Sequence, residues 1–237
     1  MNQLLQKTKS LLDFALFRKK DFPNVVMVLL DQFRNDARQT HEIFQTLKHR
    51  GVLFSQMITY APYTLASLHA TFTGMYGRQN GVDAYTKSLE YDAKGCYSLP
   101  QFLHDVGYHT RGYTFSPILF PHNGFDSLKI VPEDQEKDIL SNHLEELSQG
   151  YSQSRPFFTF LHYGEIHHEI VQNVIRKFDN YSPEYFDNAQ YYKQQYNEYA
   201  IKAGVYTDEI LKKIDSYDPS AVSYTHLRAH ETLRYLV

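Results

Sequence analysis

Two segments carry residue types that could do chemistry. The first is Asp31-Gln32-Phe33-Arg34-Asn35-Asp36, directly after the apolar run Asn24–Leu30. A carboxylate and an amide oxygen are hard donors suited to a divalent cation such as Ca2+ or Mg2+. The second is the stretch from Ala61-Pro62-Tyr63-Thr64 to Gly77. A hydroxyl at a helix start meets the positive end of the helix and free backbone N–H groups, which favour an anionic substrate. Each segment also has a plainer explanation. Asp is a common turn residue, and Thr is a common helix N-cap.

The elements that must position these groups are readable from apolar runs and stop signals. Asn24–Leu30 and Phe157–Leu161 are continuous apolar runs of strand length, as strands buried on both faces require. Residues 39–50 are expected to form a helix with Ile43, Phe44 and Leu47 on one face, stopped by Gly51. Val52–Met57 alternates like a strand, and a turn at 61–64 leads into a helix over 65–75. A further helix, Leu99–Val106, ends at Gly107 and is followed by a strand near 108–114. Pro132–Asp138 reads as a solvated loop and helix start. Residues 183–217 read as helical, broken near Gly204. Strands alternating with helices point to an α/β sandwich with a mostly parallel sheet. Such sheets bind ligands at the carboxyl ends of their strands, where Asp31 falls.

Composition narrows the function. A net charge of −3 supplies no basic field for nucleic acid. The single cysteine, Cys96, cannot form an internal disulfide and has no base beside it in sequence, so it reads as an incidental thiol. The 20 Tyr and 16 Phe are assigned to a Tyr-rich core and rim rather than to a sugar-binding surface. No apolar run is long enough to span a bilayer.

Taken together, the order of landmarks resembles the sulfatase/alkaline-phosphatase superfamily. A strand leads to Asp31-Gln32-x-Arg34-x-Asp36; about thirty residues on, Thr64 stands nine residues before Thr73-Gly74. Family sulfatases have Cys/Ser-x-Pro-Ser-Arg there; in this chain Thr64, Ala66, Ser67 and Leu68 occupy the Cys/Ser, Pro, Ser and Arg positions. Gly77-Arg78-Gln79-Asn80-Gly81-Val82, Gly107-Tyr108-x-Thr110 and Gly124-Phe125-Asp126 match further landmarks. His162-Tyr163-Gly164-Glu165-Ile166-His167 has the His-x4-His spacing of the family's strand-end motif. The resemblance implies an alkaline-phosphatase-like three-layer α/β/α sandwich with a mostly parallel sheet. It also implies a metal-dependent hydrolase or transferase of phosphate or sulfate esters, with carbohydrate-linked esters among the candidates. Asp31, Gln32 and Thr64 would hold a divalent metal (Ca, Mg, Mn or Zn). Thr64 would be the nucleophile, and His167 would bind the anionic group or protonate the leaving oxygen. His162 and His168 read as polar residues at a strand exit, and His69 is placed next to the family's Arg position.

Three departures shift the implied chemistry. Thr64 cannot become formylglycine, Leu68 replaces the Arg, and Tyr113-Thr114-Phe115-Ser116-Pro117 replaces the Gly-Lys-Trp-His element. A Thr nucleophile instead resembles the phosphodiesterase and phosphotransferase branches. The alternatives are a formylglycine-independent sulfuric ester hydrolase and a non-catalytic binding module that kept the fold.

Three regions are expected. Residues 1–23 form an amphipathic docking helix, with peripheral membrane association as its alternative. They lack the features of a secretory signal, which suggests a cytoplasmic protein. Residues 24–220 form a partial catalytic domain. Residues 222–237, beginning Val222-Ser223-Tyr224-Thr225-His226, resemble a translated sequencing adapter, so His226 and His230 are given no role. The natural reading is expected to end near Ser220. The family's late Asp-His metal pair, and with it the C-terminal part of the fold, is then missing, and this chain by itself is expected to be inactive.

Overall fold

A computed structural model describes residues 22–166 and 189–217. The expected N-terminal helix, His167, His168, residues 183–188 of the expected last helix and the adapter-like tail all lie outside the described residues. Four parallel strands form one sheet in the order β1-β4-β2-β3, with β1 at Val25–Leu30, β2 at His109–Thr114, β3 at Ser127–Ile130 and β4 at Phe157–Tyr163. Every residue of β4 is buried. It lies between β1 and β2, so both of its faces need apolar cover, which explains the unbroken run Phe157–Leu161.

The two faces of the sheet are covered by different helices. On one face, α1 (Ile43–Arg50), α5 (Ile139–Tyr151) and α6 (Ala189–Tyr217) pack a core that includes Phe44, Leu147, Leu161, Tyr163 and Ile210. On the other, α2 (Thr64–Thr73), α3 (Gly77–Asn80) and α4 (Leu99–Asp105) accompany a core built on Leu65, Phe72, Leu103, Phe158 and Phe160. Alternate residues of β4 feed the two cores, as the strand period demands. Local signals set the helix starts. Ser98 accepts from the Gln101 amide at 3.4 Å while Gln101 Oε1 accepts from the Ser98 amide at 2.9 Å, a capping box opening α4. Asp138 caps α5 by accepting from the Ser141 amide at 3.0 Å, at the end of the expected charged loop.

Two expected elements are corrected. Val52–Met57 forms no strand beyond an isolated bridge at Val52, and Val52 and Phe54 stand exposed. An alternating run becomes a strand only where one face is buried, and this one has no layer above it. The helix over Gly204 is continuous from Ala189 to Tyr217. Gly204 serves contact rather than a break: a Cβ there would lie 2.3 Å from His41 Cβ. Among the described residues, no helix is long and apolar enough to cross a membrane.

Candidate active site

β1 delivers Asp31 to the carboxyl end of the sheet. The Asp31 amide donates to Tyr163 O at 3.0 Å, extending the pairing of β1 with β4 by one residue. The chain then turns through Gln32 at φ 57°, a left-handed conformation unusual for a residue with a side chain. Tyr196 of α6 clamps this turn. Its hydroxyl donates to Gln32 O at 3.0 Å and accepts from the Arg34 amide at 2.6 Å. The Arg34 guanidinium lies 5.6 Å from the Tyr196 ring centroid and pairs with Asp36.

Thr64 approaches from the other side of the site. It is the first helical residue of α2, while Tyr63 is the N-cap and offers no side-chain cap. The N-cap explanation of Thr64 is therefore replaced by another contact. Thr64 Oγ1 lies 3.2 Å from each Asp31 carboxylate oxygen. Both side chains are buried, Asp31 at 1% exposure. Thr64 is also the first residue of α2, where the positive end of the helix lies. The loop before α2 is tied down by Thr59, whose hydroxyl is 2.8 Å from Ser67 Oγ; Ser67 in turn donates to Ala61 O at 2.8 Å.

His162, read from sequence as a strand-exit residue, joins the pair instead. Its Nε2 lies 3.2 Å from Asp31 Oδ2, and its Nδ1 lies 3.1 Å from Thr114 Oγ1. The Phe115 ring packs on the imidazole with centroids 4.2 Å apart. Thr114 and Phe115 thus occupy the stretch where the family's Gly-Lys-Trp-His element is absent. His69 does not join the site. It is buried against Tyr91, its Nδ1 is 2.8 Å from Leu65 O, and burial lowers its pKa. Leu68 is a core residue, so no cation stands at the family's Arg position. The remaining landmarks hold the fold: Gly124 O and Asp126 both accept from the Thr110 hydroxyl, at 2.6 and 3.3 Å.

A divalent cation such as Ca2+ or Mg2+ needs hard oxygen donors. Asp31 and Thr64 present hard oxygens within one hydrogen-bond length, which is the right donor chemistry. Gln32 follows directly, but its side chain makes no hydrogen bond to Asp31 or Thr64 among the described residues. No group of three His, Cys, Asp or Glu suited to a metal occurs among the described residues. The described residues therefore fit part of a cation site.

The family model described as Sulfatase matches residues 23–217. No curated protein sequence matches the chain. A candidate sulfatase from Bacteroides thetaiotaomicron superposes with a TM-score of 0.65 at 13% identity, over 85% of this chain and 56% of that one. An inactive form of murine ectonucleotide pyrophosphatase/phosphodiesterase 5, solved with AMP, gives 0.60 at 12% identity, over 85% and 55%. The C-terminal periplasmic domain of EptC from Escherichia coli, solved with Zn, gives 0.55 at 14% identity, over 82% and 60%. The chain thus spans little more than half of these structures. Its three layers on a parallel sheet are the alkaline-phosphatase-like arrangement of sulfatases and nucleotide phosphodiesterases. With the family pattern matched from residue 23 to residue 217, the chain belongs to the sulfatase family.

Proposed function

We propose that this chain carries the nucleophile half of a site that cleaves or transfers phosphate or sulfate esters, with phosphoryl chemistry favoured. The observation that carries this is Thr64 Oγ1, 3.2 Å from both oxygens of buried Asp31 at the start of α2. Family membership supports ester hydrolysis or transfer as the general class. Thr at the nucleophile position and Leu68 at the Arg position favour phosphorus over sulfur. Asp31, Gln32 and Thr64 would hold the divalent cation, with further ligands supplied by the full-length protein. When bound, the cation supplies charge neutralisation and a lowered pKa for the Thr64 hydroxyl.

In this reading Thr64 Oγ attacks the phosphorus and loses its proton. The bond from phosphorus to the leaving ester oxygen breaks, and that oxygen takes up a proton. The α2 amide groups face the charge that develops on the transferring group. Water or an acceptor alcohol then displaces Thr64. His167 orients the anionic group. A carbohydrate-linked ester is among the candidate substrates. By itself the chain is expected to turn over neither aryl phosphates nor aryl sulfates.

The test compares wild type and Thr64→Ala of the full-length protein on an aryl phosphate and an aryl sulfate. Phosphate turnover lost in Thr64→Ala supports the reading. Turnover of the sulfate only would establish the formylglycine-independent sulfatase instead. No turnover of either ester by wild type would favour a binding module.

A further inference from the structure

His162 is fully buried, yet it is polar and lies between two polar partners, Asp31 in the turn after β1 and Thr114 in β2. An ionised carboxylate only accepts hydrogen bonds, so Asp31 requires a proton on His162 Nε2. A neutral imidazole has one N–H, which leaves Nδ1 as an acceptor. The Thr114 hydroxyl, 3.1 Å away and itself fully buried, is the donor that satisfies it. The remaining freedom is rotation of the ring. Phe115 closes one face with its centroid 4.2 Å away, and Phe160 lies at 5.9 Å. Phe115 can lie there because residue 164 is glycine: a Cβ on Gly164 would stand 2.6 Å from Phe115 Cε1.

We propose that His162 is a positioning residue for Asp31, its Nε2–H form set by Thr114 and its ring held by Phe115, so that the carboxylate is kept in one plane facing Thr64. Loss of this contact removes one of the restraints on the carboxylate that lies 3.2 Å from Thr64 through both of its oxygens. Outer partners of this kind fix the orientation of groups that hold a metal. The consequence for a cation rests on the proposed role of Asp31, but the tautomer and the hydrogen bonds do not.

The first experiment is imidazole nitrogen NMR on this chain, with His162 assigned by comparison with His162→Gln. The expected result is a proton on Nε2, facing Asp31, and an Nδ1 that accepts from Thr114. Thr114→Val is expected to shift Nδ1 toward a nitrogen without a hydrogen bond. A proton on Nδ1 in wild type, or an Nδ1 unmoved by Thr114→Val, overturns the proposal. The second experiment titrates Mn2+ into the full-length protein. His162→Leu is expected to weaken binding roughly 10–100-fold. His162→Gln, whose amide N–H reaches the same carboxylate oxygen, is expected to recover most of the affinity. Equal affinities for the Leu and Gln variants overturn the positioning role. Wild type that binds no Mn2+ while the ring shows the expected tautomer refutes Asp31 as a cation ligand and leaves the hydrogen-bonded relay intact.

Discussion

Replacing Tyr196 with Phe isolates the hydroxyl that clamps the Asp31 turn. The ring remains, so its packing and its contact with the Arg34 guanidinium are kept. Two hydrogen bonds are lost, to Gln32 O and from the Arg34 amide. Each contributes about 0.5–1.5 kcal/mol net, and water replaces part of both at this half-buried position, so the loss is about 1–2 kcal/mol. Against this, Gln32 at φ 57° costs about 1–2 kcal/mol for a residue with a side chain. The clamp and the strain are of similar size. Removing the hydroxyl should therefore let the turn open without unfolding the sheet. The assay is amide hydrogen exchange. The Arg34 amide is expected to exchange roughly tenfold faster, since about 1.4 kcal/mol is one decade, while amides of β4 keep their protection. Burial raises the Tyr196 pKa to about 12, so the phenol stays protonated across the pH range of the measurement. An Arg34 amide equally protected in Tyr196→Phe would refute the clamp.

Three other outcomes follow from the packing. Arg111 and Glu146 form a buried pair, with Nε and Nη2 at 2.9 and 2.7 Å from Glu146 Oε2; Arg111→Ala is expected to cost about 3–5 kcal/mol in urea unfolding, because it strands a buried carboxylate. His143 has its pKa lowered from 6.5 to about 3, chiefly by burial. The unfolded chain therefore binds this proton first: stability is full above pH 6.5 and falls as the pH drops toward 3. At pH 5 the loss is about 2 kcal/mol, and denaturation of His143→Gln should lack that part of the acid slope. Gly204→Ala should lower the melting temperature, because the contact with His41 costs about 1–3 kcal/mol and outweighs the roughly 1 kcal/mol gained in helix propensity.

Strands β1 and β4 were legible in sequence because burial on both faces leaves an unbroken apolar run. β3 was not: Ser127–Ile130 is four residues long and only partly covered, so it lacks such a run. The Asp31–Thr64 pair was legible as an ordered set of landmarks, although each residue had its own local explanation. His162 and Tyr196 were not, because their contacts cross 131 and 164 residues. The His162 contact depends on sheet register: β4 pairs Leu29 with His162 and Leu30 with Tyr163, which brings His162 beside the turn that follows β1, whereas Tyr196 reaches that turn from α6. Sequence spacing carries no register between distant strands. The reading of Gly204 failed for a related reason: its cause is a contact with His41, not a local preference.

The central claim is that Thr64 is the group that becomes covalently attached to the transferred anion. It is tested most directly by acid-quenching the full-length protein during turnover of an aryl phosphate and mapping the modified peptide by mass spectrometry. The account predicts a phosphoryl group on Thr64, absent from Thr64→Ala and strongly reduced in Asp31→Asn. Turnover with the adduct on another residue, or undiminished turnover in Thr64→Ala, would contradict it.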